Sequence, residues 1–152
     1  MKINNLIPRN EIDENDKLCK AFDQFQEFIL ILNKRELPQE VTEKINDFVK
    51  EINECSASDL KSQLRKSQAK VVQLLEKELK MVPINHHRKT WLAIGMAAIG
   101  IPIGVSFGIS LGNMAFIGIG LPIGMAIGLG VGTKMDKAAK AEGRQLEIEL
   151  IH

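Results

Sequence analysis

The stretch from Thr90 to Thr133 constrains this chain more than any other: forty-four residues without one Asp, Glu, Lys, Arg or His. The hydrocarbon core of a bilayer is about 30 Å thick and takes roughly 20 apolar residues as a helix, so the run is long enough to cross twice. Leu111-Gly112-Asn113 supplies a turn at its middle. One transmembrane helix is expected over 90–111 and a second over 114–133. Arg88 and Lys89 precede the run, and Lys134, Lys137 and Lys140 follow it. By the positive-inside rule both flanks belong in the cytoplasm, and an even number of crossings satisfies both. Trp91 suits an interfacial anchor. As the buried hairpin of a soluble protein, the run would need more covering material than 152 residues provide.

Inside the run the sequence repeats itself. GIPIGVSFGISLG, from Gly100 to Gly112, returns twenty residues later as GLPIGMAIGLGVG, from Gly120 to Gly132. Each copy spaces its glycines by four: Gly100, Gly104, Gly108 and Gly112, then Gly120, Gly124, Gly128 and Gly132. Glycine costs about 1 kcal/mol against alanine in a helix in water, so the spacing needs a reason. In lipid, small residues let helix backbones approach and pack closely. The pattern resembles the glycine-zipper class of membrane proteins, and that resemblance implies a homo-oligomeric channel or pore. Pro102 and Pro122 fall at matching depth in the two copies. Each removes a backbone hydrogen bond and bends its helix, so the pair is either a static accommodation or a hinge. Ser106, Ser110 and Asn113 share one face of the first helix, away from Gly104, and are the candidate pore lining. The competing reading has each hydroxyl bonding back to the carbonyl four residues earlier. No charged ring is present, so such a pore selects weakly by charge.

Ahead of the hairpin, three apolar seams read as helices. Leu18, Phe22, Phe25, Ile29 and Leu32 mark one over 11–35, with Glu11, Asp13, Glu14 and Asp16 in its first turns. Val41, Ile45, Phe48, Ile52 and Cys55 mark a second, entered at Pro38. A third, opened by a capping box of Ser56 and Asp59, runs to about Val82 with Leu60, Leu64, Val71, Leu75 and Leu79 inward. Short links make these an antiparallel bundle. Cys19 and Cys55 have no metal-ligand spacing and read as reduced, packed thiols. The first ten residues carry no signal-peptide core, and Ile3 to Ile7 is a short strand or an arm. After the hairpin, 135–142 reads as a short helix. Leu146, Ile148 and Leu150 then alternate with Glu147, Glu149 and Ile151, the period of a half-buried strand, whose partner would be the Ile3–Leu6 segment or a neighbour's tail.

The expected architecture is therefore an all-α membrane protein. It has a cytoplasmic three-helix bundle (1–85), a link and transmembrane hairpin (86–133), and a cytoplasmic tail with a short β-like end (134–152). Lys66, Lys70, Lys77 and Lys80 lie on one side of the third helix, opposite its leucines, and Arg88 and Lys89 follow. Such a stripe is a solvated face or a contact for an anion, either lipid headgroups or a nucleic-acid strand. His86 and His87, adjacent on a helix, point about 100° apart and do not form a metal pair with each other. No nucleophile with its base, phosphate loop or metal cluster appears, so neither an enzyme nor a cofactor is expected.

A two-helix glycine-rich hairpin on a small helical bundle resembles the membrane effectors of bacterial anti-phage systems, the Hailong type among them. That resemblance implies a homo-oligomer in the bacterial inner membrane, gated by an oligonucleotide that a partner nucleotidyltransferase makes. The alternative is a non-conducting membrane anchor that clusters a cytoplasmic partner.

Overall fold

The structure, a computed structural model, describes residues 2–8 and 17–150. The chain divides into two compact units, after Met81 and again after Gln145.

The first unit holds three helices. α1 (Lys17–Asn33) buries Phe22, Phe25, Phe28, Ile29 and Leu32. Phe28, off the main seam, meets Phe25 edge-on with ring centroids 6.3 Å apart. The acidic residues 11–16 lie outside the described residues. α2 (Gln39–Glu54) begins after Pro38, whose carbonyl accepts from both the Thr42 amide and its hydroxyl at 3.1 Å. It buries Val41, Ile45, Val49 and Ile52, while Phe48 and Cys55 are only half-buried. On its outer side the Lys44 ammonium meets Glu40 at 2.6 Å. That hydrogen bond first, and the opposite charge second, hold the Glu40 carboxyl below its usual range and raise Lys44. Both are exposed, so the pair contributes little stability.

α3 (Leu60–Leu79) buries Leu60, Leu64, Val71 and Leu75 as expected, and also Ser67, Gln68 and Val72. Its start departs from a capping box: the Ser56 hydroxyl donates to the Asp59 carboxylate at 2.9 Å, side chain to side chain. Its end is a left-handed cap at Lys80 (φ 56°), with Lys80 N–H on the Glu76 carbonyl and Met81 N–H on that of Leu75.

The tail corrects the sequence reading. Leu146, Ile148 and Leu150 are buried and Glu147 and Glu149 exposed, so the alternation is present. Yet no β-strand forms among the described residues; only an isolated bridge joins Val82 and Gln145. The tail is extended and buries its apolar residues in the helical core, where the Gln24 amide donates to the Glu149 carbonyl at 3.0 Å. Ile151 lies outside the described residues. The expected 134–152 segment is thus divided: 134–145 belongs with the hairpin and 146–150 with the first unit. Ile3 and Leu6 join the same core.

The second unit is the hairpin. Its first arm runs from His86 to Ser110 as α4 (His86–Ile94), one π-helical segment (Gly95–Gly100) and α5 (Ile101–Ser110). Gly112, at φ +65°, makes the turn. A 3-10 turn (Met114–Phe116) then leads into α6 (Ile117–Ala141). The first arm begins four residues before the expected Thr90. α6 continues past Thr133 without a break, because Lys134 to Ala141 are helix formers with no glycine or proline to stop them. Val82 N–H donates to the Arg144 carbonyl at 3.1 Å and closes the base.

Candidate functional site: the apolar hairpin

Both arms are long and apolar enough to span a membrane, with mean hydropathy 2.0 over their best windows. Only 22% and 17% of those windows are buried. The apolar side chains face outward: Ile94, Ile101, Phe107, Ile109, Ile119, Met125 and Ile127 are all exposed. A soluble monomer rarely shows so large a patch.

What the arms bury against each other is backbone. Gly95, Gly100, Gly104 and Gly108 of the first arm are buried, as are Gly120, Gly124, Gly128 and Gly132 of α6. A methyl group on Gly100 would lie 2.9 Å from the Gly120 carbonyl oxygen. On Gly104 it would lie 2.5 Å from that of Ile117, and on Gly132 2.6 Å from the Arg88 Cα. The glycines are therefore spent within the chain, joining the two arms.

Two positions differ from the repeat as read in the sequence. Gly112 is not in the stripe; it is exposed in the turn, with nothing within 4 Å of a Cβ there. Gly95 takes the fourth place. It precedes Gly100 by five residues, a step that would rotate it off an α-helical face. The π segment absorbs the extra residue: Ile101 N–H donates to the Met96 carbonyl, five residues back.

At the base the ladder ends in a charge. Asp136, four residues after Gly132, is buried. Its carboxylate oxygens accept the His87 and Arg88 amides, each at 3.0 Å. These are orphan donors of the first turn of α4, and an anion there also meets the helix dipole favourably. Sequence reasoning missed Gly95 and Asp136, although Asp136 continues the four-residue spacing.

The other expected site residues are placed as follows. Pro102 and Pro122 are exposed, each two residues after a glycine of the interhelical contact, Gly100 and Gly120. Ser106 is exposed, and its hydroxyl donates to the Pro102 carbonyl at 2.8 Å. Ser110 is exposed on the same face, where a shallow groove runs between Pro102 and Leu111. Asn113 accepts from the Ala115 amide at 2.9 Å and caps the 3-10 turn. His86 and His87, half-buried, meet edge-on with centroids 5.5 Å apart. Arg88 and Lys89 are exposed on α4.

In the first unit, Lys66 and Lys77 are exposed on the outer face of α3. Lys70 is engaged by α2, with its ammonium 3.9 Å from Glu51 and 5.2 Å above the Phe48 ring. Lys80 belongs to the helix cap rather than the stripe. Near the start of α3, Lys61, Arg65 and Lys66 line a depression with Ser58 and Ser62. None of the three cations makes an ion pair among the described residues. Cys19 and Cys55 are not joined in a disulfide, and both are half-buried.

Compared with known proteins, the chain matches no family model, no curated protein and no solved structure.

Proposed function

We propose that the protein is a homo-oligomeric membrane channel or pore, both ends of its hairpin in the cytoplasm and its helical unit acting as the control domain. The observation that carries this reading is the surface left once the inner glycines are spent. α6 bears a second stripe of small residues, Gly118, Pro122, Ala126 and Gly130, about 200° from the first. Gly118 and Gly130 have open space where a Cβ would stand. In lipid such a stripe suits the close approach of another helix. The hairpin is then a preassembled stave, with neighbours meeting on the outer stripe of α6. The mildly polar face of α5, Ser106 and Ser110, turns toward the lumen. No charged residue lies between Thr90 and Thr133, so conduction is weakly selective.

For the trigger, the resemblance to anti-phage membrane effectors and the cations of α3 support an anionic ligand of oligonucleotide type. Lys61, Arg65 and Lys66, which make no ion pair among the described residues, are its first contacts, and Lys77 extends the face. Dye and ion release from liposomes carrying the purified protein tests the reading. Release that rises with a power of protein density above one supports it. A protein that inserts and releases nothing, with or without oligonucleotides, refutes it.

One observation favours the second reading, a non-conducting anchor that clusters a cytoplasmic partner. The Ser106 hydroxyl is already satisfied by the Pro102 carbonyl, which leaves the proposed lumen little polarity.

A further inference from the structure

α1 and α2 follow one another in the chain, yet their backbones stay apart, and each comes closer to α3. Residues 2–8, neither helix nor strand, lie in a groove beside α2, bonded to Asn46 and Asn53 there and to Asn33 at the end of α1. Ile3 and Leu6, three residues apart, are buried at 4% and 3% exposure. Three asparagines hold the backbone. The Asn33 amide accepts from the Ile3 N–H at 2.8 Å and donates to the Ile3 carbonyl at 3.1 Å, as a backbone partner would. Asn46 accepts from the Asn4 N–H at 2.7 Å, and Asn53 from the Ile7 N–H at 3.0 Å.

The spacing matches. Asn46 and Asn53 are seven residues apart on α2, about 10.5 Å along the helix. The amides of Asn4 and Ile7 are three residues apart in extended chain, about 10 Å. The groove thus reads a peptide by its backbone, with two apolar sockets at positions i and i+3. Any segment with that pattern fits it, and each copy of the protein carries one.

We infer that this groove is a peptide-binding site and that, in the assembled protein, it takes residues 2–8 of a second copy. Exchange of an identical segment needs no new complementarity and is a low-cost route to assembly. The eight residues 9–16 that lead to α1 reach at most about 29 Å, enough to serve an adjacent copy. The inference rests on the homo-oligomeric reading.

The test uses the full chain with Cys19 and Cys55 replaced by alanine. One population carries Ile7→Cys, the other Lys50→Cys, both exposed positions beside the same groove. They are co-reconstituted and oxidised, and the subunit number is measured in the same sample by mass. A disulfide between copies is expected. It should fall at least fivefold when the Lys50→Cys copy also carries Asn46→Leu and Asn53→Leu, and be absent with Glu78→Cys as the partner. An oligomer without that disulfide, while the Ile7→Cys/Lys50→Cys double variant closes within one copy, overturns the exchange alone. A monomer overturns the exchange and the oligomeric reading together.

Discussion

Replacing Gly124 by alanine adds one methyl group to the centre of the interhelical contact. That carbon would fall 2.6 Å from the Gly100 nitrogen and 2.7 Å from its Cα. Carbon atoms rest at about 3.5–4.0 Å, so the arms must part by about 1 Å there. Overpacking of this kind costs about 1–3 kcal/mol. Gly130→Ala, compared in micelles dilute enough to hold single copies so that the outer stripe is unpaired, is the matched control, because it lies on the same helix with nothing within 4 Å. The gain in helix propensity is common to both variants and cancels. The unfolding equilibria of the two should therefore differ by roughly 5- to 150-fold, Gly124→Ala being the weaker. Reversible unfolding in mixed detergent micelles measures this, with spin labels at Ala93 and Ile127 reporting the separation of the arms. Equal stability of the two variants, or an unchanged label distance in Gly124→Ala, refutes the account of the stripe.

Other substitutions probe separate parts. Asp136→Ala should lose two hydrogen bonds to a carboxylate, about 1.5–3 kcal/mol each in general, and speed exchange of the His87 and Arg88 amides at least tenfold. Asp136→Asn, which keeps one acceptor, should fall between; no change in either amide contradicts the clamp. Lys80→Gly should raise the stability of the helical unit by about 1 kcal/mol, since glycine holds a left-handed cap without a Cβ penalty, and a lower melting temperature would count against that cap. If oligonucleotides bind at Lys61, Arg65 and Lys66, affinity should fall steeply with salt, and neutralising all three to glutamine should flatten the slope. Binding insensitive to salt would place the ligand elsewhere.

The hairpin was legible because helices long and apolar enough to span a membrane leave a plain trace: a long uncharged run, basic flanks and glycines at fixed spacing. The spacing named the packing residues but not their partner. GxxxG reads the same whether the second helix belongs to the same chain or to another, and only the contact of Gly100 with Gly120 decides it. Gly95 was hidden because a five-residue step breaks the α-helical rule, and a π turn restores it. Gly112 looked like a member because a repeat carries no mark of where the helix ends. The tail misled for a related reason. Alternation in Leu146, Ile148 and Leu150 records one buried face, and an extended segment has that face against helices as readily as in a sheet. The asparagines at 33, 46 and 53 carried no periodic signal, since their work is to bind the backbone of residues thirty or more positions away.

The central claim is an assembled pore with the serine face of α5 toward the lumen. Its most direct test is current across a planar bilayer with Ser106→Cys and Ser110→Cys, in a chain whose Cys19 and Cys55 are alanine, before and after a water-soluble thiol reagent. The account predicts that both cysteines react from the aqueous phase and that the conductance changes when they do. Equal reactivity at Ile109, on another face of α5, or current unaltered by complete labelling of both serine positions, would contradict it.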